Sequence, residues 1–201
     1  MMLKIGITGG IATGKSTIAH KLRTLGYVVL DSDQVSHDLT APGGQALPEI
    51  VRQFGFDMVD EQHGLNRAKL GALVFNDQTK LEQLNQIMHP LINQALTKQL
   101  SALDQSGQRL VFVEIPLLFE TDNFIKMDQV LMVTVENKQT QLERLMKRNH
   151  LSKTEAEQRI AAQMPLEIKE ACSDYVLTND KDEYVNEQLD HVLMKIRDSL
   201  A

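Results

Sequence analysis

The sequence predicts an α/β fold: a five-stranded, mainly parallel sheet flanked by helices. Three observations carry that expectation. Short apolar runs at Lys4–Thr8, Tyr27–Leu30, Leu110–Ile115, Gln129–Val135 and Tyr175–Leu177 have the length and composition of strands. Segments with apolar residues at helical spacing stand between them. The first run also leads through a glycine-rich loop into a helical stripe and then the second run, a βαβ opening.

Taken in order, Ile18, Leu22 and Leu25 recur at i, i+4 and i+7 and predict one apolar helix face, with Gly26 as its stop. Residues 35–107 then carry no clear strand pattern. Pro42-Gly43-Gly44 reads as a turn, and Leu47, Ile50, Val51 and Phe54, then Leu81, Leu84, Ile87, Leu91 and Leu96, fall at helical spacing. A plain crossover needs far fewer residues, so this stretch is expected to be a helical insertion of the kind that recognises a substrate. His89-Pro90 is expected to kink or restart its helix, because proline has no N–H to donate.

A second helical region covers residues 138–170. Within it Ser152-Lys153-Thr154-Glu155 has the form of a capping box, so a helix should begin near Lys153. Val185, Leu189, Val192, Ile196 and Leu200 share one face and predict a C-terminal helix packed on the sheet. No repeat, low-complexity tract or linker divides the chain. Residues 1–201 are therefore read as one domain carrying an insertion and a lid.

Composition narrows the function. A length of 201 residues suits one α/β domain with a core. A net charge of -6, 4% aromatic residues and no Trp argue against a nucleic-acid or anionic-membrane partner. Met1-Met2-Leu3-Lys4 has no leader pattern, and no apolar run approaches the roughly 18–20 residues of a membrane span. The lone Cys172 fits a reducing cytoplasm and reads as a small core residue. No obligate protein partner is expected.

The loop Gly9-Gly10-Ile11-Ala12-Thr13-Gly14-Lys15-Ser16 matches G-x-x-x-x-G-K-[ST] between a strand and a helix. Glycines let the backbone turn its N–H groups onto phosphate oxygens, and the following helix adds its positive end. Lys15 is expected to reach the β- and γ-phosphates, the Ser16 hydroxyl to ligate Mg²⁺, and Thr17 to hold the α-phosphate. There is no Asn-Lys-x-Asp guanine-reading run and no room for the subdomains of a motor. The reading is a Mg²⁺- and ATP-dependent small-molecule kinase. A protein that uses ATP only as a switch is the alternative from another class.

Acceptor-side residues follow. If Asp31-Ser32-Asp33 ends the second strand, alternation points both carboxylates to one side. Asp33 is then placed to accept the proton of an attacking hydroxyl. A strand end or helix cap is the alternative for either. Glu114 is read either as a contact of the magnesium hydration shell or as structural. Arg144 and Arg148 lie i, i+4 on a predicted helix, and their guanidinium forks suit phosphate oxygens. Closing such a lid would exclude water. Their alternative is a solvated basic face, and Arg159 is left open. His89 is read as a substrate contact or as structural.

In order along nearly the whole chain stand Ile7 to Thr17, Asp31-Ser32-Asp33, His89-Pro90 and Pro116-Leu117-Leu118-Phe119-Glu120. Gln141-Leu142 with Arg144 and Arg148, Arg159-Ile160 with Gln163, and Ser173-Asp174-Tyr175-Val176 with Asn179 follow. The set resembles the dephospho-coenzyme A kinase family. The resemblance implies transfer of phosphate from ATP to the ribose 3′-hydroxyl of dephospho-coenzyme A, with a nucleotide-binding core, a helical coenzyme A-binding region and a lid. It makes Asp33 the acceptor-orienting base and sets residues Ala12 to Thr17 around ATP. It places Arg144 and Arg148 about the transferring group, Thr8, His89 and Glu120 on the acceptor side, and Asn179 near the adenine. Arg67, beside Leu65-Asn66, is one candidate for touching the pantetheine arm, with a surface arginine as the equal alternative. The sequence departs from the family at Ala12, often Gly, and at Ser32, often Ala. A methyl at residue 12 is tolerated at negative φ and strained at positive φ.

Overall fold

The structure is a computed structural model that describes residues 2–121, 125–180 and 182–200. Met1, part of the opening segment read above, lies outside them. The chain divides into two compact units. One is built from the described residues of Met1–Leu30, Leu103–Asp122 and Lys126–Ala201, the other from those of Asp31–Ala102 and Asn123–Ile125.

The first unit holds the sheet. Its strands are β1 (Leu3–Gly9), β2 (Val29–Asp31), β3 (Leu110–Glu114), β4 (Gln129–Thr134) and β5 (Tyr175–Thr178), in the order β2-β3-β1-β4-β5. Pairing is parallel, with Ile5 of β1 opposite Phe112 of β3 on one side and Gln129 of β4 on the other. The five expected runs all form strands, with ends shifted by one or two residues. β1 is central, so the loop that leaves its C-terminal end emerges from the middle of the sheet. Ligands of open α/β sheets gather at such ends.

One sheet face packs under α1 (Lys15–Thr24) and α9 (Asp182–Asp198). Ile5, Ile7, Phe112, Leu131, Val133 and Leu177 meet Ile18, Ala19 and Leu22 of α1 and Val185, Leu189, Val192 and Ile196 of α9. The C-terminal stripe is thus buried as expected, with Leu200 partly buried beside it. Leu25 departs from expectation: it is the C-cap of α1 and stands exposed, because Gly26 at φ +86 ends the helix before the stripe completes another turn. Three further helices complete this unit: α6 (Lys138–Asn149), α7 (Lys153–Ala161) and α8 (Leu166–Ala171). The capping box at Ser152 and Glu155 is formed in both directions. Cys172 is exposed, contrary to the core reading, because it caps the C-terminus of the short α8 where the chain turns outward.

The second unit is helical. It contains α2 (Ser32–Leu39), α3 (Leu47–Phe54), a 3₁₀ turn (Phe56–Met58), α4 (Arg67–Val74) and most of α5 (Gln78–Gln105). Two expectations are corrected here. α5 runs unbroken through Pro90, so His89-Pro90 does not interrupt the insertion. Proline removes one hydrogen bond, and a helix of 28 residues retains enough others to continue. The buried stripe of α5 is Met88, Ile92, Leu96 and Leu100, and of the positions expected from Leu81 to Leu96 only Leu96 is fully enclosed.

Candidate active site

The phosphate loop is shaped by what surrounds it. A Cβ on Gly9 would lie 2.5 Å from the Val133 carbonyl oxygen, and one on Gly10 would lie 2.6 Å from Leu166 and 2.8 Å from Gln141. Gly14 has φ +89, and a Cβ there would come within 1.8 Å of Asn179 Nδ2. Close approach therefore favours glycine at all three positions, and at Gly14 the left-handed backbone does so as well. Ala12 has φ +61, so the residue that replaces the family's frequent Gly does sit in the left-handed region.

Polar contacts from distant segments hold this shape. Ile11 N–H donates to Gln163 Oε1 at 2.7 Å, and Gln141 Nε2 donates to the Ile11 carbonyl at 2.9 Å. Thr13 Oγ1 donates to the Gly10 carbonyl at 3.0 Å. Asn179 Nδ2 donates to the Thr13 carbonyl at 2.8 Å, and Arg144 Nη1 in turn donates to the Asn179 carbonyl at 2.7 Å. α1 begins at Lys15 after Gly14, with no side-chain cap on its first turn. Its N-terminal end, where Ser16 and Thr17 are exposed, has the polarity an anion needs.

At the base of the loop three side chains converge. Ser16 Oγ donates to Glu114 Oε1 at 2.8 Å, and Lys15 Nζ lies 3.6 Å from the same oxygen. Glu114 is only 4% exposed and ends β3, which pairs directly with β1. The sheet thus brings a carboxylate beside the motif's lysine and hydroxyl. A hydroxyl and a carboxylate are hard oxygen donors, which fits Mg²⁺. Among the described residues no cluster of His, Cys, Asp or Glu forms a cage. Magnesium that takes most of its ligands from phosphate and water needs none.

The region read as a lid is tied down at its base. Gln141 is buried, and Lys169 of α8 is fully buried with Nζ 2.5 Å from Glu120 Oε1. That contact is an ion pair whose alignment falls short of a hydrogen bond. The Met164 N–H donates to the same Glu120 oxygen at 3.2 Å. Arg144 is half-buried on α6 and bound to the main chain after β5, with Asp180 Oδ1 3.9 Å away. Arg148, one turn on, is exposed and donates to Asn149 Oδ1. Arg159 is exposed on α7. Thr8 is fully buried on β1, and its hydroxyl donates to the Pro116 carbonyl at 3.3 Å.

In the helical unit, Asp31 caps α2: its carboxylate accepts from the N–H groups of Asp33 and Gln34. The alternation argument for Asp31 and Asp33 therefore fails, because the helix already starts at Ser32. Asp33 is exposed on the first helical turn. Arg67 donates to Thr40 Oγ1 at 2.5 Å beside a cavity of about 360 Å³ lined also by His37, Asp60 and Asn66. His89 lines a cleft of about 570 Å³ with Glu82, Asn85, Gln86 and Asn93, and burial lowers its pKa from the usual 6.5.

The model of the dephospho-CoA kinase family matches residues 3–184. The chain belongs to the dephospho-CoA kinase family. It is 43% identical over 178 residues to the dephospho-CoA kinase of Shouchella clausii, covering 89% of this chain and 90% of that one. It is similar to a crystal structure from Thermus thermophilus at TM-score 0.81 and 34% identity, over 100% of this chain and 98% of that one. It is also similar to dephospho-CoA kinase from Campylobacter jejuni at TM-score 0.74 and 25% identity, over the whole of both chains.

Within this dephospho-CoA kinase fold, three side chains support the loop in a way the sequence reading does not anticipate, Gln141, Gln163 and Asn179 in its bracing role, and the buried Lys169 anchors Glu120 beside them. Gln141 carried a usable signal, as a polar residue in line with Leu145 on the buried stripe of α6. Gln163, in the turn after α7, stands among the residues that carry the family resemblance, but no local pattern points to its contact with Ile11.

Proposed function

We propose that this chain transfers the γ-phosphoryl group of ATP to the ribose 3′-hydroxyl of dephospho-coenzyme A, giving coenzyme A and ADP. Membership of a family whose reaction is the final ATP-dependent step of coenzyme A synthesis supports that reading. The observation that carries it is the convergence of Lys15, Ser16 and Glu114 at the foot of a fully shaped phosphate loop.

In the reaction the bond between the γ-phosphorus and the β,γ-bridging oxygen breaks, and a bond from the 3′-oxygen to that phosphorus forms. The acceptor proton passes to Asp33, late in a loose transition state, since a carboxylate is too weak a base to remove it beforehand. Lys15 neutralises charge on the β- and γ-phosphates, and the loop N–H groups from Ala12 to Thr17 hold them. Ser16, with Glu114 behind it, would hold Mg²⁺, which when bound supplies charge neutralisation on the phosphates. In this reading Arg144 and Arg148 stabilise the transferring group, Asn179 flanks the adenine, and His89 and Glu120 serve the acceptor, while Thr8, fully buried with its hydroxyl on the Pro116 carbonyl, acts only by positioning that segment. No described helix is long and apolar enough to cross a membrane.

A coupled ADP-release assay with dephospho-coenzyme A, AMP, CMP and nucleosides as acceptors tests the proposal. Turnover with dephospho-coenzyme A, giving product that carries a 3′-phosphate, is expected. Turnover only with a nucleoside or nucleotide would overturn it.

A further inference from the structure

Ile11 has both main-chain groups taken by side chains more than a hundred residues away in sequence. Gln163 accepts from its N–H at 2.7 Å, and Gln141 donates to its carbonyl at 2.9 Å. Two residues on, the Thr13 carbonyl is held by Asn179 at 2.8 Å. Ala12 lies between these braced peptides with φ +61, a conformation its Cβ disfavours and a free loop would abandon. Gln141 is 2% exposed, deep on α6, and glutamine there gains nothing from burial unless its amide is used.

We propose that Gln141 and Gln163 are positioning residues for nucleotide binding. They fix the Ile11 peptide and so hold Ala12 in the left-handed turn that makes the loop N–H groups converge. They do this with opposite polarity, Gln141 as obligatory donor and Gln163 as obligatory acceptor. Neither needs to touch the nucleotide. The proposal rests on the reading of Gly9–Thr17 as the ATP site, and on no assumption about the acceptor.

Polarity gives the test. Gln163→Glu keeps an acceptor for the Ile11 N–H, whereas Gln141→Glu sets a carboxylate against the Ile11 carbonyl. Each adds one negative charge, at a buried position for residue 141 and a partly buried one for residue 163, so the neutral Met variants are needed beside them to separate hydrogen-bond loss from the cost of burying charge. The readouts are ADP affinity with Mg²⁺ by titration calorimetry, Ile11 amide hydrogen exchange and thermal midpoint, on the full chain. Gln141→Met and Gln163→Met should each weaken ADP about five- to tenfold, the size of one lost hydrogen bond. Gln163→Met should also speed Ile11 exchange. Gln141→Glu should bind ADP about tenfold or more weakly than Gln163→Glu. Equal affinities for the two Glu variants, or folded Met variants that bind ADP like the parent, would overturn the proposal. Because ADP binding needs no acceptor, failure to turn over dephospho-coenzyme A would sink the proposed function and leave this test intact.

Discussion

Side chains from α6, the turn after α7 and the loop after β5 reach into the phosphate loop and hold it by its main chain. In the helical unit, by contrast, Asp33 stands exposed on the first turn of α2, whose cap is supplied by Asp31 two residues away. One region is shaped by long-range contacts and the other by local helix geometry. A change in the first should therefore disturb binding or folding together with chemistry, while a change at Asp33 should disturb chemistry more than folding.

Lys15→Ala gives the largest expected effect. It removes a cation from the transferring phosphates, and comparable charge contributions are worth about 10³–10⁵ in kcat. It also leaves the buried Glu114 carboxylate with Ser16 but without Lys15, so a lowered thermal midpoint should accompany the loss. Steady-state kinetics with melting curves on one preparation would check both halves. An unchanged midpoint would weaken the contrast between the regions even if activity vanished.

Asp33→Asn should follow, lowering kcat by about 10²–10⁴ through loss of the proton acceptor. Its stability should change less than that of Lys15→Ala, because the residue is exposed and the Asp31 cap binds its main chain, which the substitution keeps. Urea midpoints set beside kcat would show this. Turnover near the parent level would remove Asp33 from the proton-accepting role.

Gly14→Ala should cost about 2–4 kcal/mol of stability, combining a left-handed backbone strain with the displaced hydrogen bond of Asn179. The φ of +89 and the 1.8 Å approach to Asn179 Nδ2 are independent reasons for the same outcome. Chemical denaturation measures the sum. Adding Asn179→Ala relieves the clash alone, so the double variant should recover little if backbone strain dominates.

The same contrast explains what was legible in the sequence. The phosphate loop, five strands, the α7 capping box and the C-terminal stripe are local signals: a spacing, a period or a three-residue reciprocity. Glu114 was visible as an acidic strand end, but its meeting with Ser16 depends on β1 and β3 being neighbours, which no local pattern states. Gln141 and Gln163 meet at Ile11 across 130 and 152 residues, and only the folded chain brings them together. Asp31 takes the helix-cap alternative that its sequence leaves open, and the alternation to Asp33 fails because a strand and a helix meet at Asp31 with no intervening loop. Pro90 was misread because a local breaker was weighed without the long helix around it.

The smallest effect expected belongs to His89, and it probes the helical unit as a folded body. Burial lowers its pKa from 6.5, so the folded state resists a proton that the unfolded chain accepts. Above pH 6.5 neither state is charged, and the contribution to stability is complete. As pH falls below that value the unfolded chain gains the proton first, and stability declines until the folded-state pKa is passed. His89→Gln stays neutral throughout and should lose less stability between about pH 7.5 and about pH 5.5 than the parent does. Urea midpoints across that range would measure the difference. Parallel curves would mean that His89 is as well solvated when folded as when unfolded. The cleft it shares with Glu82, Asn85 and Asn93 would then be open enough to hydrate a charge.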